Sequence, residues 1–210
     1  ITKSVYVLPL IKFNTSNLFS YNESFEDNTN TPTNNQSANY GAWATELFSV
    51  GTNPATSTSW NLLSPNGPII NSASNGTKAW VAGLLPTANN GLTNTYNSNE
   101  TSVLNSPCFD ISTLTKPIIS FDYLADLWNR NDGVYVQSSV DGGVSWQTFG
   151  QRSKGISWYN DGNIVGLSGS GNLGQPVGQI GWDDPNSGNG QSNPWSKAYY
   201  TLSNLSTAQP

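Results

Sequence analysis

At 210 residues the chain is long enough to bury one sizeable core, a length that single β-sandwich domains commonly reach. Only 10% of it is charged, with eight Lys and Arg against thirteen Asp and Glu, too few cations to neutralise phosphates at useful density, so nucleic acid is not expected as a partner. The absence of His removes the Ser-His-Asp triad, the Cys-His pair and the HExxH zinc helix, and a single Cys removes both an intrachain disulfide and a thiolate metal cluster.

Eight Trp, nine Tyr and seven Phe supply apolar surface that disordered chains lack, and Gly, Pro and Asn break the sequence into short β-type runs. The first, "SVYVLPLI" at 4–11, predicts either an extra edge strand or the end of a preceding module. "NESFED" then brings Glu23, Glu26 and Asp27 together. In a strand, residues three apart lie on opposite faces, so Glu23 and Glu26 do not face each other across a sugar as glycoside hydrolysis requires. Such acids suit calcium better, a hard cation that collects oxygen ligands.

Strands are expected at 42–50, 59–63 and 78–85, where Trp43, Trp60 and Trp80 sit in apolar or alternating contexts that suit core packing. "TSVLN" (101–105) follows, then Cys108 in "SPCFD", a small residue of the kind normally buried. "PIISFDYLA" (117–125) runs into the loop "LADLWNRND", which carries Asp126, Trp128, Arg130 and Asp132.

The runs 133–140 and 144–150 flank Asp141-Gly142-Gly143 and predict a hairpin. Within it Ser139, Asp141, Gly143 and Trp146 match S-x-D-x-G-x-x-W, the Asp-box pattern of β-propellers. The Asp141 carboxylate is expected to accept turn N–H groups while a buried Trp146 ring folds over the turn, a structural role. A propeller would repeat the unit about every 40 to 50 residues, and no second copy occurs.

"SWYN" (157–160) supplies Trp158 and Tyr159, and "GWDDPNSGNGQSNPW" (181–195) is the longest irregular polar segment with aromatic ends. Such segments are uncommon in compact domains unless they bind something. Trp182 and Trp195 could offer flat faces to sugar rings, with Asp183, Asp184 and nearby amides as orienting groups. Trp128, Arg130, Trp158 and Tyr159 are candidates for the same rim. The alternative is a surface loop pinned at both ends by buried Trp rings. "KAYYTL" (197–202) predicts the last strand, and 207–210 reads as linker.

The motif order "SFED", "TSWNLLSPNGPIINSASNGTKAWVAGL", "YNSNETSVLNSPCFDISTLTKPIISFDYLAD", "NDGVYVQSSVDGGVSWQTFG", "SWYN" and "GWDDPNSGNGQSNPWSKAYYTLSNL" resembles the MAM-like jelly-roll modules of large secreted Bacteroidetes surface proteins. More distantly it resembles reelin subrepeats and MAM domains. The resemblance covers about 21–206, leaves 1–20 outside, and implies an all-β fold: a two-sheet antiparallel jelly-roll β-sandwich exported to the cell surface.

By that resemblance Glu26 would hold one structural calcium, with Asp27 and Asp132 as companions, although "SKAYYTL" lacks the acid that such sites often take from the last strand. No apolar run approaches the roughly 20 residues that span a bilayer, so membrane insertion is not expected. The functional expectation is a non-catalytic extracellular adhesion module that binds a glycan or surface polymer beside neighbouring modules of one chain. A purely structural spacer is the alternative, and a jelly-roll glycoside hydrolase the remote one. Exposure of the rim aromatics separates the first two, because a spacer buries its Trp rings and a lectin-like module must present them.

Overall fold

The computed structural model describes residues 10–26, 43–49, 58–83, 96–167, 179–184 and 194–202. The described chain is all-β: ten short strands and two single-turn 3-10 helices, Thr15–Asn17 and Val165–Leu167, with no α-helix among the described residues. It divides into two compact units, the first made of 1–67 and 75–114, the second of 68–74 and 115–210.

In the first unit the strands are β1 (Leu10–Lys12), β2 (Ala44–Ser49), β3 (Trp60–Leu63), β4 (Ala79–Ala82), β5 (Thr101–Asn105) and β6 (Cys108–Asp110). β2 pairs antiparallel with β5 through an irregularity between Leu47 and Ser49, and β3 pairs antiparallel with β4. β4 shows the period of a strand with two unlike faces, Ala79 and Val81 turning inward. β1 runs parallel to β6, Leu10 opposite Cys108. This pairing departs from the antiparallel expectation, and it joins segments far apart in sequence that no local pattern connects.

One carboxylate and a small aromatic group tie this unit together. Phe109 packs against Phe13 and Tyr21, and Phe25 meets Trp43 edge-on, whose indole N–H donates to the Tyr21 hydroxyl at 3.3 Å. Burial pushes the Tyr21 phenol up to about 12. Glu100 accepts the Ser59 N–H at 2.9 Å, the Ser59 hydroxyl, and the Asn97 side-chain amide at 2.7 Å. Ser59, fully buried, in turn accepts the Asn97 N–H at 2.8 Å through Oγ, so the buried polar atoms at this junction are paired.

The second unit holds β7 (Ile118–Tyr123), β8 (Gln137–Ser138), β9 (Gln147–Thr148) and β10 (Ser196–Thr201). β7 and β10 pair antiparallel along their whole length. One face of the pair presents Ile119, Phe121, Ala198 and Tyr200 to the core, and the other leaves Ile118 and Tyr199 exposed. β8 and β9 form the hairpin, extended by the Phe149 N–H donating to the Val136 carbonyl at 2.8 Å. The core is aromatic: Phe149, Trp158, Tyr159 and Trp182 are buried around Ala198. Their rings meet at centroid distances of 4.6 to 5.6 Å, mostly edge-on, which suits the aromatic quadrupole.

One backbone position explains how Trp158 fits so closely. Gly150 adopts φ +89°, and a Cβ there would collide with the Trp158 indole nitrogen. Only glycine meets both conditions.

Candidate functional site

The segment 179–184 decides the fate of the polar loop. Trp182 forms an isolated antiparallel bridge with Val134, its N–H donating to the Val134 carbonyl at 2.8 Å and its carbonyl accepting the Val134 N–H at 3.0 Å. Gly181 bridges Asp161 on the other side. Backbone pairing on both sides drives the Trp182 ring inward, where it meets Phe121, Tyr123, Trp158 and Tyr159. Its indole N–H donates to the Ser157 carbonyl at 3.0 Å. The ring is therefore both packed and satisfied, as a buried Trp requires.

Trp158, Tyr159 and Trp182 are only 3%, 4% and 3% exposed, so three of the rim aromatics are core residues. The Tyr159 hydroxyl donates to the Phe149 carbonyl at 2.6 Å and accepts the Val136 N–H at 3.0 Å, which pins the hairpin to the core. Burial pushes its phenol far above the ordinary value. The reason these residues read as a rim is their polar sequence surroundings; their burial is set by partners distant in the chain. Trp195 is half-buried, its indole N–H donating to the Ser72 carbonyl at 3.2 Å. The amide-rich stretch between, 185–193, lies outside the described residues.

Asp183 and Asp184 are buried too, and Asp183 is a brace rather than a sugar contact. Its Oδ2 accepts the Arg130 N–H at 3.2 Å, while its own backbone N–H and carbonyl pair with the Asn160 side-chain amide at 2.9 and 2.8 Å. Desolvation raises the Asp183 carboxyl above its ordinary value, and desolvation with the Asp184 charge does the same to Asp126.

Trp128 and Arg130 are the opposite case. Trp128 is 68% exposed at the start of a tight turn in which the Asn131 and Asp132 N–H groups both donate to its carbonyl, at 2.9 and 3.0 Å. Arg130 has φ +59°, held by Asp183 at its N–H and by the Val165 N–H donating to its carbonyl at 2.6 Å. Gly166 lies so close beneath the turn that a Cβ would strike the Asn131 carbonyl. The Arg130 side chain pairs through Nε with Asp161 at 3.0 Å and is 60% exposed. Asp161 is fixed in its turn, its Oδ1 accepting the N–H groups of Gly162 and Asn163 at 2.5 and 2.8 Å.

In the Asp-box hairpin, Asp141 accepts the Ser145 N–H at 2.9 Å, the Ser145 hydroxyl at 2.5 Å and the Ser139 hydroxyl at 2.7 Å. The Gly143 N–H donates to Ser139 Oγ at 2.8 Å. These Ser145 and Ser139 bonds hold the Asp141 carboxyl down at about 2. Trp146 does fold back, its indole N–H reaching the Gly143 carbonyl at 3.2 Å, but the residue stays 37% exposed rather than buried.

Glu26 is engaged by its own chain. Its carboxylate accepts the Thr77 N–H at 2.8 Å, the Thr77 hydroxyl at 2.6 Å and the Lys78 N–H at 2.7 Å, and these bonds, that of the Thr77 hydroxyl foremost, hold its carboxyl below the ordinary value. Asp27 lies outside the described residues, and Asp132 belongs to the other unit. Among the described residues no group of three or more acidic, Cys or His side chains is placed to hold a metal. Glu23 is likewise engaged, accepting the Phe25 N–H at 2.9 Å and the Tyr21 hydroxyl at 3.2 Å.

Sequence reasoning missed three residues that organise these sites: Ser59 and Asn97 around Glu100, and Asn160 beneath Asp183. A buried Ser opening a strand and an Asn directly after an aromatic pair are faint signals, since both residue types abound in the loops of this chain. No protein-family profile, curated protein or solved structure matches the chain.

Proposed function

We propose that this chain is a non-catalytic module of an extracellular, cell-surface protein, and that its main role is structural: a stable β unit standing beside other modules of the same chain. The observation that carries this reading is the burial of Trp158, Tyr159 and Trp182, three of the five aromatics that a glycan-binding rim would present. Rings packed against one another in this way, with the Tyr159 hydroxyl and the Trp182 indole N–H hydrogen-bonded inside the core, serve cohesion. The carboxylates support the same reading, since Glu23, Glu26, Asp141 and Asp183 each accept hydrogen bonds from their own chain.

Trp182→Ala tests the structural role through near-ultraviolet circular dichroism. A weakened aromatic signal together with a markedly lowered melting temperature is the expected result. A folded Trp182→Ala protein that had lost only a binding activity would overturn the reading. Incubation with neutral and acidic polysaccharides should release no reducing ends, and any turnover would overturn its non-catalytic part.

A further inference from the structure

The turn from Trp128 to Asp132 has a construction that the structural role leaves unused. An exposed Trp on a mobile loop costs little and means little; the backbone that carries this one is fixed at several points. Its carbonyl closes the turn through the Asn131 and Asp132 N–H groups, the left-handed Arg130 is tethered to buried Asp183 and to Val165, and the backbone of Gly166 packs directly beneath. Non-glycine residues in the left-handed region persist only where their surroundings impose it. The turn thus presents a large apolar face without the ordering cost that a flexible loop would incur on binding.

We infer that this turn is a saccharide-binding site, with Trp128 as the flat face on which one sugar ring stacks and Arg130 as the hydrogen-bond fork that orients it. Arg130 reaches Asp161 through Nε alone, and among the described residues no acceptor takes its terminal NH2 groups, so both are open to hydroxyl or carboxylate oxygens. Asp161 keeps the guanidinium in position, being fixed by the Gly162 and Asn163 N–H groups.

The surroundings select the class of ligand. A protein partner would want a contiguous apolar patch around the anchor. Here the residues that follow Trp128, namely Asn129, Arg130 and Asn131, are polar and exposed, and Val165 is the one exposed apolar side chain tied to the turn by a hydrogen bond. One apolar plate within a polar surround matches a pyranose, which has an apolar face and a rim of hydroxyls.

Affinity electrophoresis of the intact chain through gels containing hydroxyethylcellulose, xylan, galactomannan or polygalacturonate tests the site. The wild type should be retarded in at least one gel. Trp128→Ala should weaken that retardation at least tenfold with an unchanged melting temperature, Arg130→Gln should weaken it several-fold, and Val144→Ser, an exposed change in the hairpin, should leave it intact. No retardation in any gel overturns the inference, as does retardation that Trp128→Ala retains. Binding that depends on Trp128 but is confined to protein-coated surfaces overturns the saccharide assignment. None of these failures touches the structural reading, which rests on Trp182.

Discussion

Two tryptophans in similar sequence surroundings have opposite fates. Trp128 in "LWNRND" and Trp182 in "GWDDPN" are each followed by polar and charged residues, yet the first is 68% exposed and the second 3%. The difference lies in backbone pairing. Val134 and Asp161 flank the Trp182 segment with bridges that turn its ring into the core, whereas the Trp128 turn closes on itself through its own carbonyl and projects the ring outward. Residue type set the capacity to bury, and distant backbone partners decided whether it was used.

That contrast predicts an order of effects. Trp182→Ala should cost the most, about 3 to 5 kcal/mol, the range for deleting a buried aromatic, as measured by urea denaturation followed by tyrosine and tryptophan fluorescence. Gly150→Ala should follow at roughly 2 to 4 kcal/mol, combining left-handed strain with overpacking against Trp158. A loss below 1 kcal/mol in the same melts would mean that Trp158 does not sit over Gly150. Trp146→Ala sharpens the comparison, because its ring is intermediate between the two: about 1 to 2 kcal/mol is expected, below the buried range. Trp128→Ala should stay within about 0.5 kcal/mol of wild type, as for surface positions.

The acids give the pH counterpart, and the signs differ by site. Asp141, held down at about 2, stabilises the hairpin above the unfolded carboxylate value of about 3.9, and this is lost as pH falls toward 2. Asp183 and Asp126 are raised by burial, so the folded state takes up protons before the unfolded one and the second unit gains stability as pH falls from neutral through their folded values. Melting temperature should therefore rise on mild acidification and drop below about pH 4. Asp183→Asn should flatten the rise, and Asp141→Asn should weaken the acid-side drop.

How much of this was legible in the sequence follows from how local each determinant is. The strand at Thr101–Asn105 and the turn of the Asp-box hairpin rest on residues within a few positions and stand where the sequence puts them, although the hairpin strands shrink from the expected 133–140 and 144–150 to Gln137–Ser138 and Gln147–Thr148. β6 was not legible: three residues carry no period, and their partner β1 lies at the other end of the first unit's sequence. The rim was misread for the same reason in reverse. Polar neighbours of Trp158 and Trp182 indicate exposure only when no distant strand captures the backbone. Glu26 shows the third limit, since nothing in its own segment announces that the Thr77 and Lys78 N–H groups, far along the chain, donate to it.

The central claim, that Trp182 is core and Trp128 is presented, is tested most directly by residue-resolved oxidation of the native chain. Brief hydroxyl-radical exposure followed by peptide mass spectrometry should modify Trp128 at least tenfold faster than Trp182, with Trp195 between them. Equal rates at Trp128 and Trp182, or faster oxidation at Trp182, would contradict the account.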